Sequence, residues 1–492
     1  MRRKLIFPVL FLVAVFFTNC QKEKLESSEN SNMISSTDPS FRHSKMKIQT
    51  NPFLNTEPIQ NDRSFDITQN LTPESEVIYQ RALSGVIKQL ETLRENVKGM
   101  QTYTLYPTGM YPDDRINVQT LVNELGDAGI DAKVKLKSTN RDGVPTAFNF
   151  GFSTGGGISE GGWVSISTYL GRSGSLEFMG EGKGDEITTI SGGFRFPNTQ
   201  GGSFFIVNRT DDDFIFKGIR FTNEGGIEVA RVGSFLAKEC LFDNTTIGID
   251  NFGVSNSVTI KDNIFEDILI PMRILNDNPI AVIKDNQVYN AQSGPYFGFN
   301  SGSYIVKDNI IRTIDGDDPY ATGDGIFVYD NEDLFEIKDN DISCNDPFSA
   351  GIFLLDFQNN IKNIFIKDNK IHMNSKYYSA IDIEGYGNSI SDICISDNEI
   401  SGEAASAFYV SSLEAYFPPS DISDISFNNN NIEDFETTCL ATDGFGSALG
   451  CVDVFFDAST HDLTFCGEVD IIIDQGINNT FTEDDCPKCD DN

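Results

Sequence analysis

Ile260-Lys261-Asp262-Asn263-Ile264 decides the fold of this chain, because it returns. Near copies stand at Ile283-Lys284-Asp285-Asn286-Gln287, Val306-Lys307-Asp308-Asn309-Ile310, Ile337-Lys338-Asp339-Asn340-Asp341, Ile366-Lys367-Asp368-Asn369-Lys370 and Ile395-Ser396-Asp397-Asn398-Glu399. A looser copy is Phe427-Asn428-Asn429-Asn430-Asn431, and degenerate ones precede the set at Phe216-Lys217-Gly218 and Ala237-Lys238-Glu239-Cys240. The aspartates recur at intervals of 23, 23, 31, 29 and 29 residues. So variable an interval excludes ankyrin and tetratricopeptide arrays, which hold one period and are helical. Between copies the apolar residues alternate with period two, as at Ile326/Val328, Ile352/Leu354 and Ile381/Ile383, which predicts short strands.

Short strands, a variable repeat above 20 residues and a fixed polar turn resemble the right-handed parallel β-helix. That is the fold of pectate lyases, polygalacturonases and parallel β-helix repeat proteins, the pectin lyase-like superfamily. Leu176-Glu177-Phe178-Met179-Gly180-Glu181-Gly182 with Thr189-Ile190-Ser191-Gly192 resembles the first coils of that superfamily. The resemblance covers residues from about 130 to 480. It implies an all-β solenoid in which the turn asparagines face inward and stack coil upon coil. Asparagine suits the left-handed backbone of such a turn, and stacking satisfies amides that burial would otherwise leave unpaired. Asn263, Asn286, Asn309, Asn340, Asn369, Asn398 and Asn430 are expected to form this ladder, a structural and not a catalytic feature.

The ends of the chain are organised differently. Arg2-Arg3-Lys4, an apolar run from Leu5 to Phe17 and then Cys20 predict a signal peptide over 1–20. The run is too short to span a bilayer, where about 20 residues are needed. It resembles a bacterial lipoprotein signal, which implies lipidation of Cys20 and attachment to the outer membrane at the cell surface; ordinary cleavage is the alternative. Residues 21–71, rich in Ser, Asn, Gln and Thr, read as a disordered tether with a reach of roughly 40 Å. An N-terminal capping region follows over 72–130. In it a helix runs from Thr72-Pro73 to Gly99, and a second covers Val118 to Leu125. The β-helix is expected over 131–480 and an acidic, cysteine-containing tail over 481–492.

Composition narrows the function. Of 492 residues 73 are acidic and 37 basic, a net charge of −36. So negative a surface repels phosphate backbones, which excludes nucleic acid as a partner, and it disfavours polyanions unless a cation intervenes. With the fold it points to an extracellular glycan, neutral or a calcium-bridged uronate.

The asparagine register resolves the strand that carries the active groove in related polysaccharide enzymes. Its outward residues are expected to form two columns: Glu228, Gly248, Arg273, Gly298, Phe327, Phe353, Asp382, Tyr409, and Ala230, Asp250, Leu275, Asn300, Tyr329, Leu355, Glu384, Ser411. Neighbours in a column sit about 4.8 Å apart. Phe327, Tyr329, Phe353 and Leu355 form an apolar block that either stacks on sugar rings or lies beneath a loop. Asp382 and Glu384, with Asp356 near in sequence, form an acidic group. They are either the acid and base of glycoside hydrolysis or a solvated face. Arg273, Asn300, Tyr329, Phe353 and Tyr409 are the candidate sugar-binding residues. The loop Asp315-Gly316-Asp317-Asp318 through Asp324 offers hard oxygen ligands for Ca²⁺, or is an ordinary Asp/Gly turn.

The signatures of the known β-helix enzymes are missing: no G-H-G, no R-x-P-x-x-R and no D-P-H-D occurs. A non-catalytic adhesin or structural surface protein is therefore the competing reading. Cys240, Cys344 and Cys394 are expected to stay free, whereas Cys439, Cys451, Cys466, Cys486 and Cys489 suggest disulfides near the C-terminus.

Overall fold

A computed structural model describes residues 100–482, apart from 152–162, 167–173, 183, 196–211, 224, 231, 277, 301, 317–321, 357–358, 413–418, 433, 443–447, 468 and 470. The signal peptide with Cys20, the tether, the helix expected before Gly99 and the tail with Cys486 and Cys489 lie outside the described residues. No described helix is long and apolar enough to cross a membrane.

Each coil of the chain contributes one strand to each of three long parallel sheets. Sheet 1 runs through 12 described strands from Trp163–Ser165 to Ile472–Asp474. Sheet 2 holds the strands that end in the Lys-Asp-Asn turns, such as Ile280–Lys284 and Ser303–Lys307. Sheet 3 begins just after each turn asparagine, as at Gln287–Ala291 and Ile310–Ile314. Strands pair with the equivalent strand of the next coil, so Val306 opposes Ile283 on one side and Ile337 on the other.

The turn works as its residue types demand. Asp262, Asp285, Asp308, Asp339, Asp368 and Asp397 all adopt φ between 54° and 56°, the left-handed conformation that Asp tolerates. That backbone reverses the chain and turns the following asparagine inward. Asn340 is fully buried; its Nδ2 donates to Val306 O at 2.8 Å and to Asn369 Oδ1 at 3.0 Å. Its Oδ1 accepts from Asn309 N at 3.0 Å and Asn309 Nδ2 at 2.9 Å. The same set repeats from Asn263 to Asn430, and Cys240 N opens the ladder by donating to Asn263 Oδ1 at 2.9 Å. On the outside the lysines stack as a parallel column and bridge carboxylates of the next coil, as in Lys284–Asp308 at 3.3 Å and Lys307–Asp339 at 3.1 Å.

One apolar core fills the solenoid from Val118 to Phe465. Equivalent rings stack at the strand spacing: Phe242 and Phe265 lie 4.8 Å apart at 6°, and Tyr304 and Phe335 5.4 Å apart at 5°. Each such pair adds about 1 kcal/mol beyond the area it buries.

The open N-terminal end is closed by the helix Asp113–Ala128, longer at both ends than the expected Val118 to Leu125. Val118, Val122 and Leu125 are buried in the core, and the helix stops at Gly129 with φ 62°. Asp114 is also buried. Its carboxylate accepts from Thr108 N, Gly109 N and Asn149 N, tying the loop before the helix to the first coil. Sheet 2 starts earlier than expected, at Gln101–Leu105, inside the stretch assigned to the helical cap. The alternation of Gln-Thr-Tyr-Thr-Leu is the local reason.

The cysteines correct one expectation. Cys240 and Cys344 are free and buried, and burial pushes both thiols up to about 12. Cys439 pairs with Cys451. Cys394, expected to be free, is in a disulfide, as is Cys466.

Candidate functional site

Sheet 1 places most of the candidate residues in register, with one slip. The observed column is Asp250, Arg273, Tyr296, Phe327, Phe353, Asp382, Tyr409 and Phe455, each the Cα partner of the next. The neighbouring column is Leu275, Gly298, Tyr329, Leu355, Glu384 and Ser411. Tyr296 therefore holds the place expected for Gly298, and Asp250 stands beside Arg273 instead of Leu275. Asn300 lies at the end of its strand opposite Asn331. Asp250, Arg273 and Tyr296 stand 23 residues apart, the interval of the turn asparagines on those coils, whereas Phe299, at φ 55°, ends the strict alternation beyond Gly298. Phe299, read as inward from its period, packs instead with the outer cluster.

That outer cluster is a second apolar layer laid on the outside of sheet 1. Its members include Ile270, Leu275, Tyr296, Phe327, Tyr329, Phe353, Leu355, Tyr378 and Tyr386. Phe327 stacks on Phe353 at 5.1 Å, and Phe299 meets Tyr329 edge-on at 4.9 Å. Tyr329 and Phe353 are 4 % and 7 % exposed. The expected apolar block thus exists as a block, but its two sugar-facing candidates are covered. The half-exposed rings at its margin are Phe252, Phe299, Phe348 and Tyr377. Phe348 and Tyr377 stack at 4.8 Å, and Lys376 Nζ lies 5.2 Å over the Tyr377 ring. Sequence reading missed these rings because a left-handed residue hid Phe299 and because Phe348 and Tyr377 sit in loops, where alternation gives no signal.

Charge brackets the cluster. At one end Arg273, buried, donates from Nε to Asp250 Oδ1 at 3.0 Å and from Nη2 to Asp250 Oδ2. Four strand steps away, about 19 Å at the usual spacing, Asp382 and Glu384 are each 2 % exposed. They stand between the aromatic cluster and a smaller one of Ala405, Tyr409, Ala441, Val452 and Phe455. Tyr409 stacks on Phe455 at 5.1 Å. Burial, with the Glu384 and Asp382 charges, holds its hydroxyl well above the usual phenol range. Burial and the Asp324 charge likewise push Tyr296 up to about 12, and its hydroxyl lies 3.0 Å from Ser293 Oγ and 2.9 Å from Thr322 Oγ1.

Asp356 does not join Asp382 and Glu384 as a third acid. Its carboxylate accepts from Tyr386 N, from Asn388 N at 3.0 Å and from Ser420 Oγ at 3.3 Å, which caps the turn of the next coil. Burial still dominates and raises its pKa to about 6. Of the calcium candidates, Asp315 is exposed. Asp324 is buried and accepts from Ala350 N at 2.7 Å. Asp317 and Asp318 lie outside the described residues. Among the described residues no three His, Cys, Asp or Glu side chains group as metal ligands.

Comparison with known proteins agrees with the coil geometry. A family model described as "Right handed beta helix region" matches residues 225–394. No curated protein matches the chain. Among solved structures, the tailspike protein of the E. coli bacteriophage HK620 in complex with a pentasaccharide is similar at 12 % identity, covering 77 % of this chain and 76 % of that chain, with TM-scores of 0.46 and 0.47 in two variants. The sheets, their in-register parallel pairing and the matched repeat lead to one conclusion: the chain is a right-handed parallel β-helix.

Proposed function

We propose that the chain is an exported, lipid-anchored β-helix of the bacterial cell surface that binds an extracellular polysaccharide along the flank of sheet 1. The observation that carries this reading is the aromatic layer on that flank. Sheet 1 carries on its outer side a second apolar cluster, rich in aromatic rings, with half-exposed rings at its margin. Flat apolar faces with polar neighbours suit the alternating CH and OH faces of a pyranose. Phe299, Tyr377 and Phe348 are the rings that meet the glycan, and buried Tyr329 and Phe353 hold them in place. The net charge of −36 selects against polyanionic chains and favours a neutral glycan, or a uronate bridged by Ca²⁺ through Asp315, Asp317, Asp318 and Asp324.

Binding without cleavage is the better-supported form of the reading. A general acid must reach the glycosidic oxygen and its partner must reach water or the anomeric carbon. Asp382 and Glu384 at 2 % exposure reach neither unless the flank opens. The adhesin alternative is thus favoured over hydrolysis or lyase chemistry, with Asp382 and Glu384 the pair to test for either. Incubating the soluble chain from residue 71 with a polysaccharide panel separates the outcomes. Retention alone means a binding protein, new reducing ends mean a hydrolase, and absorbance of unsaturated uronates means a lyase. The absence of both retention and products across the panel would overturn the proposal.

A further inference from the structure

One coil of the solenoid carries an insertion near the C-terminus. Its passage from sheet 3 to sheet 1 takes residues 438–453, where the coil before it takes only 405–407. The added length includes the strands Ala441–Thr442 and Ala448–Gly450, an antiparallel pair tied at its base by the Cys439–Cys451 disulfide. Among the described residues these two strands pair only with each other and join none of the three parallel sheets. Two strands with so short a ladder are marginal by themselves in water. They are held by the disulfide and by one apolar contact. Ala441, Leu449 and Val452 pack on Ala405, Tyr409 and Phe455, on the outer side of sheet 1. Tyr409, under this contact, is 7 % exposed, and it is the Cα partner of Asp382. Thr438 Oγ1 donates to Lys376 O at 2.9 Å, which joins the base of the pair to the loop of Tyr377.

We propose that these two strands are a lid over the Tyr409 end of the sheet 1 flank, and that Cys439–Cys451 is its redox latch. Both cysteines are exposed, whereas Cys394 and Cys466, also in disulfides, are buried. A dithiol therefore reaches the latch first. One thiolate of the dithiol attacks a latch sulfur, and the other cysteine leaves as a thiolate. The second thiol of the reagent then resolves the mixed disulfide. The protein gains two thiols and the reagent becomes a disulfide, with two electrons and two protons passing to the protein. The latch spans a sequence separation of 12. Releasing a loop of that size raises the open population on the order of 100-fold, through the loop-closure entropy that the bridge had removed. Opening bares Tyr409 and, beside it, Asp382 and Glu384, whose charges act on its hydroxyl. The latched chain holds a glycan away from the acid pair, and the unlatched chain gives it a path there. That role rests on the reading of the sheet 1 flank as the glycan site; the latch itself does not.

Hydroxyl-radical footprinting of the full-length chain, read by mass spectrometry with no glycan present, tests the latch. In the oxidised protein Tyr409 should be modified as slowly as Tyr304, a ring buried in the core. Cys439→Ser with Cys451→Ser should raise the Tyr409 rate at least about 10-fold while Tyr304 stays slow. Dithiothreitol on the folded wild-type chain is a second arm that asks no variant to fold. Alkylation should then find new thiols at Cys439 and Cys451 before Cys394 and Cys466, with the same rise at Tyr409. An unchanged Tyr409 rate once the bridge is open would overturn the inference. So would an equal rise at Tyr304, which would make the bridge a staple of the whole coil. The expected footprint in a chain that retains no glycan would overturn the sheet 1 reading and uphold the latch.

Discussion

The far end of the Tyr329 ring fills the space that a side chain on Gly298 would need. The two residues are Cα partners on adjacent coils of sheet 1, and a Cβ on Gly298 would lie 2.1 Å from Tyr329 Cζ. The glycine is thus what lets the aromatic layer sit close against the sheet. Gly298→Ala must push the ring outward into packed neighbours and should cost about 1–3 kcal/mol. Chemical denaturation of the variant checks this; an unchanged midpoint would mean the ring moves freely and the layer is not packed.

The side chain of Asn340 makes four ladder bonds within 3.0 Å, two donated and two accepted. Asn340→Leu leaves the carbonyl of Val306 and the amide of Asn309 buried without partners. The expected loss is at least about 2 kcal/mol, since stranded buried groups cost about 1–3 kcal/mol each. Thermal or urea unfolding measures it, and a change within experimental error would remove the ladder from the list of stabilising features.

Asp356 gives a pH signature. Its folded pKa of about 6 lies above the ordinary value of 3.8 because burial opposes ionisation. The folded state therefore binds the proton more tightly than the unfolded state. The stabilising contribution is present below the ordinary value and is lost as pH rises through about 6. Asp356→Asn should abolish that loss, so the stability of wild type relative to the variant should fall by about 3 kcal/mol from pH 3.5 to 7, two pKa units at 1.36 kcal/mol each. Paired unfolding curves across that range decide it; a pH-independent difference would show that Asp356 ionises normally.

Anchoring is open to a direct chemical check. Cys20→Ser removes the only sulfur that the signal offers for lipidation. It should abolish labelling by a fatty-acid analogue and release the protein to the soluble fraction. Continued membrane retention of the variant would contradict the lipoprotein reading.

How far the sequence carries can be seen in particular residues. The Lys-Asp-Asn turns were legible because left-handed Asp and inward Asn are local demands, and any chain that builds this turn must meet them. The column Phe327, Phe353, Asp382, Tyr409 was legible because each coil preserves the alternation there. The outward placing of Phe299 was not, because its left-handed backbone breaks the period without a glycine to mark the spot. Burial of Asp382 and Glu384 was illegible for a different reason. Strand alternation assigns a face of the sheet, and it says nothing of what another segment lays over that face. The disulfide at Cys394 escaped in the same way, since a partner distant in sequence leaves no local trace.

Affinity electrophoresis of wild type, Phe299→Ala and Tyr377→Ala through gels containing each polysaccharide tests the central claim most directly. The account predicts that one class of neutral or calcium-bridged glycan retards the wild-type chain and that no reducing ends appear. Each ring substitution should weaken the retardation by the equivalent of about 0.5–2 kcal/mol, the worth of one aromatic contact, while Asp382→Asn leaves it unchanged. Retardation equal in wild type and both ring variants would place the glycan elsewhere on the solenoid and contradict the assignment of sheet 1.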